Sequence, residues 1–307
     1  MGRQLDAVNR AVSLYTNALA ALERREFDSR ILEQLENPPP QLADFSAAFH
    51  RFASQILNKR RQHDEMASAA IIQQSFLPKT SNLASNESVI ELQAEMRPAR
   101  EVGGDFFDFF MLDADHLAFA IGDICGKGMA ASLFMAVVVT VLRTAAHGEK
   151  NVASIISRAN SLLCRDNASS MFATVFYGVL NLRSGLLEYC NCGHNAPLLF
   201  LSSGEIRSFP ATGLPLALYA DRSPAMASVT LNPSDTLVLF TDGVTEAMNL
   251  SKEEFGEVAF IEALSGSHDR PVAEIISDIF STVDSFSQGP EQTDDITCIA
   301  IRRRPSI

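Results

Sequence analysis

The rhythm of polar and apolar positions in this 307-residue chain changes near residue 80. Before that point apolar residues fall at helical spacing. Ala7, Val8, Val12, Leu14, Tyr15, Leu19 and Leu22 recur along one face and run into the charged Glu23-Arg24-Arg25-Glu26. After Pro38-Pro39-Pro40 the pattern returns with Leu42, Phe45, Phe49, Phe52 and Ile56. Residues 53–77 extend it as one amphipathic helix, with Lys59 to Glu65 as a solvated face, and Pro78 stops it. Residues 81–88 read as loop. Beyond them alternation of period two takes over. Ile90, Leu92, Ala94 and Met96 mark a half-buried strand, and Leu117 to Ile121 a short apolar one. Met129 to Ala146, apolar nearly all round, predicts a helix buried between layers, and Val152 to Cys164 predicts a second helix. Phe172 to Asn181 and Gly185 to Asn191 bracket Arg183-Ser184-Gly185, a hairpin signal. Thr236 to Thr241 and Ile296 to Arg302 are later strands. Two strand groups separated by a helix pair predict an α+β fold, a central β-sandwich flanked by helices. The expected organisation is a helical signalling or dimerisation region over 1–78 and a second domain over 79–307.

Composition narrows the class. A hydrophobic fraction of 47% supports a real core, and a net charge of -12 argues against nucleic acid or an anionic membrane as partner. The five cysteines, Cys125, Cys164, Cys190, Cys192 and Cys298, lack zinc-ligand spacing and lie mostly in apolar runs, as small buried hydrophobes in a reducing compartment would. Cys190-x-Cys192-x-His194 is explained by strand alternation more simply than by a soft metal. No stretch reads as a signal peptide, and the apolar run from Met129 to Leu142 is too short to span a bilayer, so the expected location is the cytoplasm.

The candidate chemistry lies in aspartates. Asp105 follows Gly103-Gly104, Asp123 follows Gly122, Asp242 sits in Thr241-Asp242-Gly243, and Asp294-Asp295 stands near the C-terminus. Carboxylates scattered along the chain but placed at strand ends suit a site for two hard cations, which take oxygen ligands and can activate water. Any one of them alone could be an ordinary strand-end aspartate. Gly122-Asp123-Ile124-Cys125-Gly126-Lys127-Gly128 is no nucleotide loop, because it lacks the spacer and the hydroxyl residue after Lys127. No Cys/His dyad or serine-hydrolase motif argues for covalent catalysis. Arg97 and Arg100 could contact phosphate or form exposed ion pairs; His194 could be a general acid or a structural strand-end residue.

In order, Arg97 to Asp108, Gly122 to Ala131, Cys192 to Pro197, Phe240 to Ala247 and Thr293 to Thr297 resemble the motifs of bacterial PPM-type (PP2C-like) serine phosphatases of the stress and sporulation class, the RsbU-like and SpoIIE-like regulators. The resemblance covers roughly residues 70–303. It implies a sandwich with helices on both outer faces and two Mn2+ or Mg2+ ions held by Asp105, Asp123, Asp242, Asp294 and the carbonyl of Ile124. The family's last motif pairs a ligand aspartate with a following Asn or Asp, which favours Asp294 over Asp295. Asp108 is left as a holder of water or a third metal. Relatives usually carry Ser at the position of Cys125. The implied function is a metal-dependent serine/threonine protein phosphatase acting on a phosphoserine of a STAS-domain, anti-sigma-factor-antagonist-like partner. The alternatives are a catalytically inactive PP2C-like interaction module and a hydrolase of small phosphate esters. In the N-terminal region the helix, connector, helix order is similar to a HAMP-type module, with Asp44 to Phe52 matching the start of its second helix. HAMP modules are parallel dimers near a membrane span, so the resemblance implies a homodimer through residues 1–77 and a place in the cytoplasmic part of a membrane-anchored receptor.

Overall fold

Among the described residues ten strands form two antiparallel five-stranded sheets, ordered β1-β10-β9-β6-β7 and β2-β3-β4-β5-β8. The computed structural model describes scattered positions between Arg10 and Ala21, then residues 43–79, 89–165, 167–222, 224–266, 270–289 and 292–305. The first predicted helix and the 81–88 loop fall largely or wholly outside them. The strands are β1 (Ile90–Arg97), β2 (Phe106–Met111), β3 (His116–Ile124), β4 (Ala173–Asn181), β5 (Leu186–Cys192), β6 (Leu198–Phe200), β7 (Ile206–Ser208), β8 (Ala227–Thr230), β9 (Thr236–Phe240) and β10 (Ile296–Arg303). The helices are α1 (Ala43–Gln74), α2 (Met129–Ala146), α3 (Val152–Arg165), α4 (Asp242–Thr245), α5 (Gly256–Leu264) and α6 (Val272–Ser287).

Strand alternation explains the layering. In β9, Leu237 and Leu239 point into the core between the sheets, together with Phe107, Phe119, Phe176 and Ile299. Val238 and Phe240 point the other way and pack on Phe260, Ile276 and Ile279 of α5 and α6. On the opposite outer face α2 and α3 bury Met135, Val138, Leu142 and Ile155 against Ala118, Ala120, Val175 and Tyr177. The result is helices, sheet, sheet, helices, the predicted sandwich. Each sheet is thus covered on both faces, as the fully buried β9 shows, and each helix pair on one, at about 25 cal/mol per Å² removed from water.

Several expectations need correction. The two strand groups do not each form a sheet: β1 pairs with β10, register Ile90↔Arg303 to Arg97↔Ile296, so the first predicted strand joins the last. The helices α5 and α6 and the strands β2 and β6 to β8 add to the elements the sequence pattern predicts. Helix α2 is an outer layer, not an inner one. It buries Ala131, Met135, Val138, Leu142 and Ala145 at helical spacing but leaves Leu133 63% and Val137 48% exposed. By length and composition it would suffice to cross a membrane, contrary to the expectation from the shorter run, yet 44% of it is buried in the fold.

The chain divides into two compact units, Met1–Ser68 and Ala69–Ile307. In the first, Asp44 to Phe52 are helical, and Phe49 and Ala53 are buried. In the second, the last turn of α1 ends at Gln74, before Pro78. There the Gln73 side chain donates to the Gly103 carbonyl at 2.7 Å and accepts from the Gly103 N–H at 3.1 Å.

Candidate metal centre

Four chain segments end at the same edge of the sandwich, and each brings a carboxylate. The β1–β2 connection carries Asp105; β3 carries Asp123 opposite Thr174 of β4; α4 begins at Asp242, directly after β9; Asp294 precedes β10. The turn at Thr241 is tied to β10 by its N–H, which donates to the Thr297 carbonyl at 3.0 Å.

Asp105 is the deepest, at 1% exposure. Two hydroxyls hold one of its oxygens: Thr241 and Thr297 each donate to Oδ2 at 2.7 Å. The sequence carries no sign of this role for either threonine, although both lie within the motif segments Phe240 to Ala247 and Thr293 to Thr297. Burial, then the neighbouring Asp123 carboxylate, pushes the Asp105 pKa well above the carboxylate range. Asp123 is pushed up to about 7 by burial, then by Asp242 and Asp294. Asp242 is raised by burial and by Asp294. Carboxylates gathered at this edge thus raise one another's pKa values, Asp123 acting on Asp105, Asp242 and Asp294 on Asp123, and Asp294 on Asp242. Lys127 brings a cation: its ammonium donates to Asp294 Oδ2 at 2.6 Å and to the Thr293 carbonyl at 2.9 Å.

Glycine lets the backbone close in. A Cβ at Gly104 would lie 3.1 Å from the Ile124 carbonyl oxygen and 3.4 Å from Asp123 Oδ1. The Ile124 carbonyl and the Asp123 carboxylate therefore face one cradle that a larger residue would fill. All-oxygen donors of this kind suit Mg2+ or Mn2+. Among the described residues no three carboxylate, imidazole or thiol groups already stand at the spacing of one cation's ligands. Asp105 is committed to two threonines and Asp294 to Lys127, so ligation would require these carboxylates to exchange partners. With that exchange, the predicted set of Asp105, Asp123, Asp242, Asp294 and the Ile124 carbonyl fits two hard cations.

The remaining candidates resolve into structural parts. Asp295 accepts backbone N–H groups of Ala99 at 2.8 Å and Gly104 at 2.7 Å, and a Cβ on Gly103 or Gly243 would collide with it. It shapes the loop that presents Asp105. Asp108 forms a two-pronged ion pair with Arg143 of α2, both bonds at 2.7 Å. Arg97 is committed too: its guanidinium forks onto Asp284 at 2.9 and 2.6 Å and lies over the Phe280 ring. Arg100 is exposed. His194 is buried, its Nδ1 3.0 Å from the Thr174 hydroxyl, and burial pulls its pKa down to about 4. A neutral, enclosed imidazole is poorly placed to act as a general acid at neutral pH. Cys190, Cys192 and Cys298 are fully buried, and burial raises their thiol pKa values, as expected of small core hydrophobes.

A helix-flanked pair of antiparallel sheets with a carboxylate cluster at one edge is the architecture of PP2C-type phosphatase domains. The sequence matches the family described as Stage II sporulation protein E (SpoIIE) over residues 113–304, and the chain belongs to that family. It is 30% identical over 266 residues to Protein IcfG of Synechocystis sp., a match covering 78% of this chain and 41% of that protein. It is 26% identical over 242 residues to Phosphoserine phosphatase RsbU of Bacillus subtilis, covering 78% of this chain and 70% of that one. Among solved structures, the RsbU and RsbW domains of Rv1364c from Mycobacterium tuberculosis superpose with a TM-score of 0.62 at 27% identity, over 70% of this chain and 60% of that one. The SiaA-PP2C domain of Pseudomonas aeruginosa shares the fold, with a TM-score of 0.69 at 21% identity over 80% of this chain and 98% of that domain. The chain thus spans less than half the length of IcfG.

Proposed function

We propose that this protein is a metal-dependent serine/threonine protein phosphatase that takes two Mn2+ or Mg2+ ions and removes phosphate from a phosphoserine of a STAS-domain partner. The convergence of Asp105, Asp123, Asp242 and Asp294 beside the Ile124 carbonyl carries this reading. The similarity to a protein named Phosphoserine phosphatase RsbU supports the substrate class. Two divalent cations, when bound, supply Lewis acidity toward the phosphoryl group and lower the pKa of water. The chain's own residues do the rest. Thr241 and Thr297 orient Asp105, and Gly104 leaves room for the Ile124 carbonyl to face the same cradle as Asp123. Lys127, tethered to Asp294, puts positive charge at the mouth, where a phosphate would enter.

The same reading places the protein in a cytoplasmic partner-switching circuit, as a homodimer paired through the N-terminal helices. The decisive experiment has two arms. Hydrolysis of p-nitrophenyl phosphate that appears with Mn2+ and vanishes in chelator would support the enzyme; its absence would favour an inactive interaction module. Incubation with the organism's phosphorylated STAS proteins would identify the one that loses phosphate, and a small ester consumed in preference to all of them would refute the phosphoprotein assignment.

A further inference from the structure

Beside the carboxylates a groove of about 380 Å³ runs from Asp294 between the C-terminal end of α6 and the turn that follows α4. Its floor is apolar, from Ala247, Val283 and Ile296. Its wall is tied to the candidate centre, because Gln292 Nε2 donates to the carbonyls of both Arg97 and Asp294, at 2.8 and 2.7 Å. The opposite rim is a turn built to hold its shape. Asn249 Oδ1 accepts the N–H groups of Ser251 and Glu253 at 2.9 and 3.0 Å, and its amide donates to Glu253 at 2.9 Å. That stapled turn presents Lys252 in the left-handed region, at φ 63°, which a lysine adopts at a cost. The other charges along the groove are matched: Arg97 by Asp284, Asp294 by Lys127. Lys252 forms no ion pair among the described residues and leaves one unmatched positive charge on an acidic protein.

A phosphate ester small enough to fit at the carboxylates would touch none of this. A polypeptide whose phosphoserine reached them would lay its neighbouring residues here. We propose that the groove takes the segment flanking the phosphoserine of the substrate protein, with an apolar side chain over Ala247, Val283 and Ile296 and a carboxylate beside Lys252. The inference rests on the phosphatase reading above and adds a preference to it. An apolar contact with a defined floor and a charge held in place by a rigid turn discriminate between sequences, where the metal chemistry alone does not.

The test measures kcat/KM with Mn2+ for short phosphoserine peptides carrying Leu and Glu, Leu and Lys, or two glycines beside the phosphoserine, with p-nitrophenyl phosphate as the reference substrate. The Leu/Glu peptide should exceed the glycine peptide by about tenfold, the size of effect one apolar contact gives. Lys252→Glu should reverse the preference between Glu and Lys peptides while the ester rate holds. Ser287→Trp, which fills the groove from the end of α6, should erase the preference. Equal rates for all peptides, or an unchanged charge preference in Lys252→Glu, would overturn the groove assignment while ester hydrolysis kept the phosphatase reading. Loss of both ester and peptide hydrolysis in the wild-type protein would instead remove the phosphatase reading, and the groove with it.

Discussion

The carboxylate of Asp295 accepts the backbone N–H of Gly104 at 2.7 Å, one residue before Asp105. Its neighbour Asp294 turns the other way and pairs with Lys127 at a half-exposed position. Adjacent aspartates thus have separate duties, and substitution should separate them. Asp295→Ala strips buried N–H groups of their acceptor and should cost about 1–3 kcal/mol of stability. Asp294→Ala should cost under about 1 kcal/mol, as an exposed pair does, yet abolish metal-dependent hydrolysis. Thermal unfolding in chelator, set beside the Mn2+-dependent rate, reads both effects. Equal losses of stability would show that the division of labour is wrong.

At Asp123 the same substitution should have opposite effects on stability and rate. Its carboxylate is buried and crowded by the charges of Asp242 and Asp294. Asp123→Asn removes one of the repelling charges, so the chelator-treated variant should unfold at a higher temperature than wild type. Its kcat should fall by roughly a hundredfold or more, on the order of the several kcal/mol that metal ions supply to phosphoryl transfer. Full activity in this variant, or in chelator, would sink the metal assignment.

Crowding also fixes a pH dependence in chelator. A carboxyl pushed up to about 7 in the folded protein against 3.8 when free binds more protons folded than unfolded between those values. Its stabilising contribution is complete below pH 4 and is lost as pH rises toward 7. Asp105 and Asp242 are shifted in the same direction. The unfolding midpoint in chelator should therefore drop between pH 5 and pH 8, more steeply in wild type than in Asp123→Asn. Saturating Mn2+ should flatten the slope by replacing protons with a cation. A midpoint that rises across this range in chelator would contradict the cluster's electrostatics.

The centre was more legible in sequence than the sheets around it, for a physical reason. Asp105, Asp123, Asp242 and Asp294 each sit beside a glycine, a threonine or a strand end, and those neighbours mark where backbone turns inward. The pairing of β1 with β10 joins residues about two hundred positions apart and leaves no local trace. The strand β2 was hidden in Phe106-Phe107-Asp108-Phe109-Phe110-Met111, because a run buried on both faces loses its alternation. Asp108 looked like a spare ligand for lack of any sequence sign that Arg143 would reach it. Exposure of Leu133 and Val137 on α2 was likewise invisible: an all-apolar helix reads as buried whatever covers it.

The end of α1 gives the last prediction. Gln73 is buried and holds Gly103 by two hydrogen bonds, while its neighbours Ile71 and Ile72 are 71% and 62% exposed. An isolated helix with bare isoleucines gains by covering them. If the N-terminal helices pair two chains, a change in their pairing could reach Asp105 through Gln73 and Gly103, which is the kind of two-state element that coupling requires. Truncation before Ala69 should convert a dimer to a monomer in light scattering and change the Mn2+-dependent rate several-fold. Gln73→Leu in the full chain should leave the dimer intact and raise the Mn2+ concentration needed for half-maximal rate. A truncated protein that remains dimeric would remove the proposed interface. A monomer with unchanged rate, together with an unchanged Mn2+ requirement in Gln73→Leu, would leave the dimer standing and eliminate the coupling.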